Sequence, residues 1–240
     1  MSNVMLRAVL IGAVSGAPLV LGAWIALKWH PSNRVVGLIS AFGAGALISA
    51  VAFELVLEAS GKKSPAVLAA ALAFGAIVYF LGSRYLERRN KRGSASSRGL
   101  ALLMGATLDG IPESLILGIS IATGGGVSLP FLVAVVVSNL PEGMASAAVL
   151  GKDPNYPSRR VLGMWAIVMG ISAVGAGLGS FLGTLVTMTG AVAQAFAAGA
   201  LLTMITDDLI PEAREFAGLE AGLAAVLGFA VAFALHRAGT

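Results

Sequence analysis

The sequence predicts an all-α membrane protein of eight transmembrane helices, and three observations carry that prediction. Of its 240 residues 57% are hydrophobic and only 12% charged, with a mean hydropathy of +0.88, too apolar to cover a water-exposed surface. The apolar residues fall into eight uninterrupted runs, each near the ~20 residues a helix needs to cross a bilayer. Within those runs Leu, Ala and Gly dominate and no period-2 alternation occurs, which excludes a transmembrane barrel.

The boundaries follow from charge, proline and glycine clusters. The first span covers about 4–29; its uncharged stretch from Ala8 to Leu27 is longer than the core of a signal peptide, so it reads as a spanning helix. The second, 35–60, ends at Gly61-Lys-Lys63, and the third runs from 65 to 86 into a basic segment. The fourth, 99–122, stops before Gly124-Gly-Gly126, a tight turn; no Lys-Ser/Thr follows it, as a phosphate loop would require. The fifth spans 128–150. The sixth, 160–187, repeats Gly175, Gly179 and Gly183 on one face, the small-residue spacing that lets helices approach closely. The seventh and eighth cover 190–214 and 217–237.

Basic residues report topology in such a chain, and no nucleic-acid partner is needed to explain the formal charge of +4. The segment Arg84–Arg98 is the longest polar stretch and marks the cytoplasmic side. Both termini then face outward, in what is expected to be a plasma (inner) membrane. Twelve Lys and Arg fall inside against four outside: Arg7, Lys62, Lys63 and Arg237. Trp24, Trp29, Tyr85 and Trp165 fall near inner span ends, where an aromatic belt is expected. The absence of cysteine excludes disulfides and thiolate metal sites.

Two segments resemble each other. Phe42–Ala59 on span two and Phe196–Ala213 on span seven match at eight of eighteen positions without a gap, and Glu58 aligns with Glu212. Spans two and seven run in opposite directions, so the copies form an inverted repeat, and a 3+2+3 arrangement follows with spans four and five in the middle.

The central spans carry acids at membrane depth. Span four reads Leu108-Asp-Gly-Ile-Pro-Glu-Ser-Leu115 and span five Val137-Ser-Asn-Leu-Pro-Glu-Gly-Met144. Asp109 and Glu113 are four apart and share a helical face, as do Ser138 and Glu142, with Asn139 beside them. Each acid costs roughly 2.5–3.5 kcal/mol to insert, so three cost on the order of 8–10 kcal/mol unless a cation or protons compensate. Pro112 and Pro141 each remove a backbone donor, freeing the carbonyls of Leu108 and Val137 beside the acids. The candidate metal ligands are therefore Asp109, Glu113, Ser138, Asn139 and Glu142.

The paired Ile-Pro-Glu-Ser and Leu-Pro-Glu-Gly steps, the Phe-x-Ala-Gly-Ala stretch and the Asp-Asp-Leu-Ile-Pro-Glu-Ala end resemble the Zrt/Irt-like (ZIP) family of divalent metal transporters over all eight spans. The resemblance implies 3+2+3 helices, a homodimer, and transport of zinc, iron, manganese or similar ions toward the cytoplasm. It further implies an elevator-like motion of spans one, four, five and six against the rest. Glu113 and Glu142 match the family's bridging acids. Where typical members have His-Asn, this chain has Asp109-Gly110, and no acid occurs between Arg160 and Asp207, where many carry a Glu-Pro step. The resulting set is oxygen-only, which suits harder ions such as manganese better than zinc.

Other groups fit the same scheme. Glu54 and Glu58 at one end, and Asp207, Asp208, Glu212 and Glu215 at the other, could draw cations into funnels. His30 and His236 lie at span ends, where an interfacial role is expected. No organic cofactor is implied, and the ion is substrate. No enzyme motif occurs: the Tyr-Asp and Gly-x-Gly-Asp steps of intramembrane aspartyl proteases are missing, as is Gly-x-Ser-x-Gly. The alternative to transport is a family relative that senses metal or binds a partner.

Overall fold

The computed structural model describes residues 2–90, 95–124, 126–185 and 190–239. Among the described residues it is helical, with no strand. Residues 91–94 of the basic segment, the central glycine of the 124–126 turn and the last residues expected in span six lie outside the described set.

Among the described residues eight helices are long and apolar enough to cross a membrane: Asn3–Trp29, Asn33–Ser60, Pro65–Tyr85, Gly99–Ala122, Leu129–Leu150, Ser158–Thr184, Gly190–Ala217 and Glu220–Ala238. Inside a bilayer no water can satisfy backbone N–H and C=O groups, so each segment satisfies them along its own helix. The ends are set locally. Ser32 caps the second span by accepting from Val35 N, and Ser128 caps the fifth by accepting from Phe131 N at 3.2 Å. Span seven stops at Gly218, whose positive φ of 63° is one a glycine adopts without strain.

Side-chain size decides how the helices pair. Span one packs on five and six, span four on five, six and seven, span two on five, seven and eight, and span three on seven. Exchanging one with six, two with seven, three with eight and four with five maps this pattern onto itself.

Four of these pairs share one contact. In each, a glycine on one helix meets a backbone carbonyl of the partner, and a glycine of the partner returns the contact. Gly22 faces Leu140 O and Gly143 faces Leu19 O, between spans one and five; Gly118 faces Ala176 O and Gly179 faces Leu115 O, between four and six. Gly45 and Gly228 do the same against Ala225 O and Phe42 O, and Gly75 and Gly199 against Phe196 O and Leu72 O. A Cβ at any of these eight glycines would lie 1.8–2.2 Å from the carbonyl oxygen. Only glycine permits an approach this close, at which Cα–H groups point at carbonyls. Gly175, Gly179 and Gly183 all face span four, as their spacing predicts.

The two similar segments also share a backbone feature. Val51–Leu57 and Ile205–Leu209 are π-helical turns inside spans two and seven, and Val51 and Ile205 occupy equivalent positions in the two copies. Such wide turns concentrate at functional sites. One expectation needs correction: Trp24, Trp29 and Tyr85 are exposed, but Trp165 is fully buried, packed among Leu19, Val161 and Val168. A buried indole fills a core, so Trp165 is not part of an aromatic belt.

Candidate functional site

Span four turns Asp109 and Glu113 inward together, as their spacing of four requires, leaving them 4% and 1% exposed. Span five buries Ser138, Asn139 and Glu142. Both helices continue through their prolines, over Ala95–Ala122 and Leu129–Leu150.

The end of the bundle where spans three and four meet contains a cavity of about 250 Å³, lined by Tyr79, Asp109, Glu142, Asp208 and Glu212 among others. Four spans contribute its polar groups: three, four, five and seven. The Tyr79 hydroxyl lies between two carboxylates, hydrogen-bonded to Asp109 Oδ1 and, at 2.7 Å, to Asp208 Oδ2. Glu113 does not line the cavity; it stands one helical turn from Asp109 on the same face of span four. Glu142 is within reach of Asp109, Glu113, Glu212 and Asp208.

Both carboxylate oxygens of Glu113, both of Glu142 and Oε1 of Glu212 are buried without a hydrogen-bond partner. An isolated carboxylate in a low-dielectric interior is costly, and structures normally pair it, bind a cation to it or protonate it. Here three such groups on adjacent helices share one region. That arrangement can hold positive charge.

The remaining candidates are positioned differently. Asn139 Nδ2 donates to Ser15 O of span one at 2.8 Å, which leaves its Oδ1 as the remaining acceptor. Ser138 Oγ donates to Val135 O of its own helix at 3.0 Å, and its backbone is pressed against Gly43. Neither lines the cavity. Among the described residues no three His, Cys, Asp or Glu side chains are arranged to hold a metal ion; coordination would require the acids to close around it.

Sequence reasoning passed over Tyr79. Its one signal was a hydroxyl in an otherwise apolar stretch, Val78-Tyr79-Phe80. Asp208 and Glu212, expected as part of a funnel at the membrane surface, line the same cavity as Asp109, whereas Asp207 and Glu215 are exposed. His236 is held at 2.6 Å from Glu54 and stacks on Phe53. No family model matches the sequence, and no curated protein matches it.

Proposed function

We propose that the protein carries divalent metal ions across the membrane, with Asp109, Glu113 and Glu142 as the carboxylates that hold the ion in transit. The observation that carries this reading is the set of buried, unpartnered oxygens on Glu113 and Glu142, beside a polar cavity that already contains Asp109. A doubly positive ion offsets the burial of these acids in a way no side chain nearby does. Asn139 Oδ1 and the freed carbonyls of Leu108 and Val137 supply neutral oxygens at the same depth.

The reading agrees with the resemblance to the Zrt/Irt-like family and with its 3+2+3 inverted repeat, which the self-mapping helix pairs and the matched π-helical turns support. The reciprocal glycine contacts join one to five, four to six, two to eight and three to seven. They tie helices within two groups, spans one, four, five and six against two, three, seven and eight. Motion of one group past the other would expose the carboxylates to each side in turn. Net movement is toward the side bearing the basic segment, taken as the cytoplasm. An all-oxygen set favours manganese and similar hard ions over zinc.

Uptake of manganese, zinc, iron and cadmium into proteoliposomes tests this. A Glu113→Ala, Glu142→Ala variant should fall to the background of protein-free vesicles; uptake equal to the native protein would overturn the proposal. The second reading, a sensor that binds the ion without moving it, is favoured by the absence of imidazole from the cavity lining. It predicts saturable binding with no uptake.

A further inference from the structure

The opposite end of the bundle holds a second recess, of about 230 Å³, where spans two, four, five and seven meet. Glu54, Glu58, Gln194 and Ser128 are among its polar residues, together with Lys62, Ser120 and Thr123. Glu54 sits on the π-helical turn of span two, at the position equivalent to Asp208, and Glu58 at the position equivalent to Glu212.

Each acid is held from two sides. Ser128 Oγ donates to Glu54 Oε2 at 2.6 Å, and His236 Nδ1 lies 2.6 Å from Oε1. Gln194 Nε2 donates to Glu58 Oε2 at 3.0 Å, and Lys62 Nζ lies 2.6 Å from Oε1. Every carboxylate oxygen can accept more than one bond, so acceptor capacity remains after these contacts.

Gln194 points to a ligand. Its side chain is 8% exposed, it lines the recess, and its Oε1 is buried without a partner. A buried amide oxygen left unsatisfied is unfavourable unless something binds it. The polar neighbours in the recess present two acids to that neutral oxygen, a donor set fitted to a cation rather than an anion. Lys62 supplies the compensating charge, but its side chain is 51% exposed and its pairing with Glu58 is of the weak, solvent-screened kind. It can withdraw into water.

We propose that this recess is a second divalent-cation site, with Glu54, Glu58 and Gln194 Oε1 as oxygen ligands. Ser128 and His236 are positioning residues that hold Glu54, and Lys62 is the charge the cation displaces. The donor set is hard and suits manganese, magnesium or calcium. Binding here stands independently of transport; its role as a waiting site at the far end of the path rests on the transporter reading.

Manganese alone is the probe, with free ion counted by room-temperature electron paramagnetic resonance on the purified full-length protein. The native protein should bind two ions, and a Glu113→Gln, Glu142→Gln variant one. Adding Glu58→Gln to that variant should abolish the remaining binding. Gln194→Met, close in size, should weaken this site at least tenfold, whereas Lys62→Ala should tighten it several-fold, a gain that misfolding cannot produce. If the Glu113→Gln, Glu142→Gln variant binds no manganese while the native protein binds one, the second site does not exist and the transport site survives. If the native protein binds one ion that only Glu58→Gln removes, the second site stands and the transport site falls. No binding by the native protein defeats both.

Discussion

The two ends of the bundle present equivalent acids, Glu54 with Glu58 and Asp208 with Glu212, beside equivalent π-helical turns, yet the surroundings differ. At one end each acid is partnered, Glu54 by Ser128 and His236 and Glu58 by Gln194 and Lys62. At the other, Asp109 and Asp208 share the Tyr79 hydroxyl, while Glu113, Glu142 and Glu212 keep buried oxygens without partners. A repeated backbone thus sets where acids stand, and the side chains contributed by other spans decide whether those acids are satisfied within the protein or await a ligand.

The sharpest way to break this contrast is to neutralise one acid at each end. Glu142→Gln should lower manganese affinity at the Asp109 cavity by on the order of a hundredfold, about 2.8 kcal/mol. The same change should raise the melting temperature of the metal-free protein, because it removes an unpaired buried carboxylate. A titration together with a thermal melt checks both; a lower melting temperature would mean that Glu142 is satisfied after all.

Acidification is the next largest effect. Cations bind deprotonated carboxylates, so protons compete and affinity falls as pH drops, by up to about tenfold per unit for each proton displaced. Binding isotherms at pH 7.5 and 6.5 measure it, and a pH-independent isotherm would mean that binding displaces no proton from the carboxylates in this range.

Glu54→Gln should act in the opposite sense to Glu142→Gln on the metal-free protein, lowering stability by about 1 kcal/mol because its charge-assisted bonds to His236 and Ser128 weaken. Denaturation in detergent reads this, and stabilisation would erase the distinction between the two ends. Smallest is Tyr79→Phe, which keeps the ring and removes the hydroxyl. Asp109 is then released from its phenol partner, and manganese affinity should rise a few-fold in the same titration; a fall would make the hydroxyl a ligand rather than a competitor.

Much of this molecule was legible from its sequence. The eight spans follow from runs of apolar residues, because the bilayer imposes one length on every crossing helix. The helices in the structure fall within a few residues of the runs read from sequence. That Asp109 and Glu113 share one face of span four was legible too, since residues four apart lie on the same side of a helix whatever it packs against. The similarity of the two segments, with Glu58 aligned to Glu212, was also legible.

Tertiary structure alone decided the partners. Tyr79 reaches Asp109 and Asp208 from a third helix, His236 meets Glu54 across 182 positions of sequence, and Asn139 is fastened to Ser15 of span one. Trp165, placed at the membrane surface by its position near a span end, is buried because span six packs between spans one and four. Hydropathy determines that a helix crosses the membrane and carries no information about its rotation about its own axis. That rotation is set by where backbones can touch, here through reciprocal glycine and carbonyl contacts between distant segments, and it determines which acids find a partner and which are left to bind an ion.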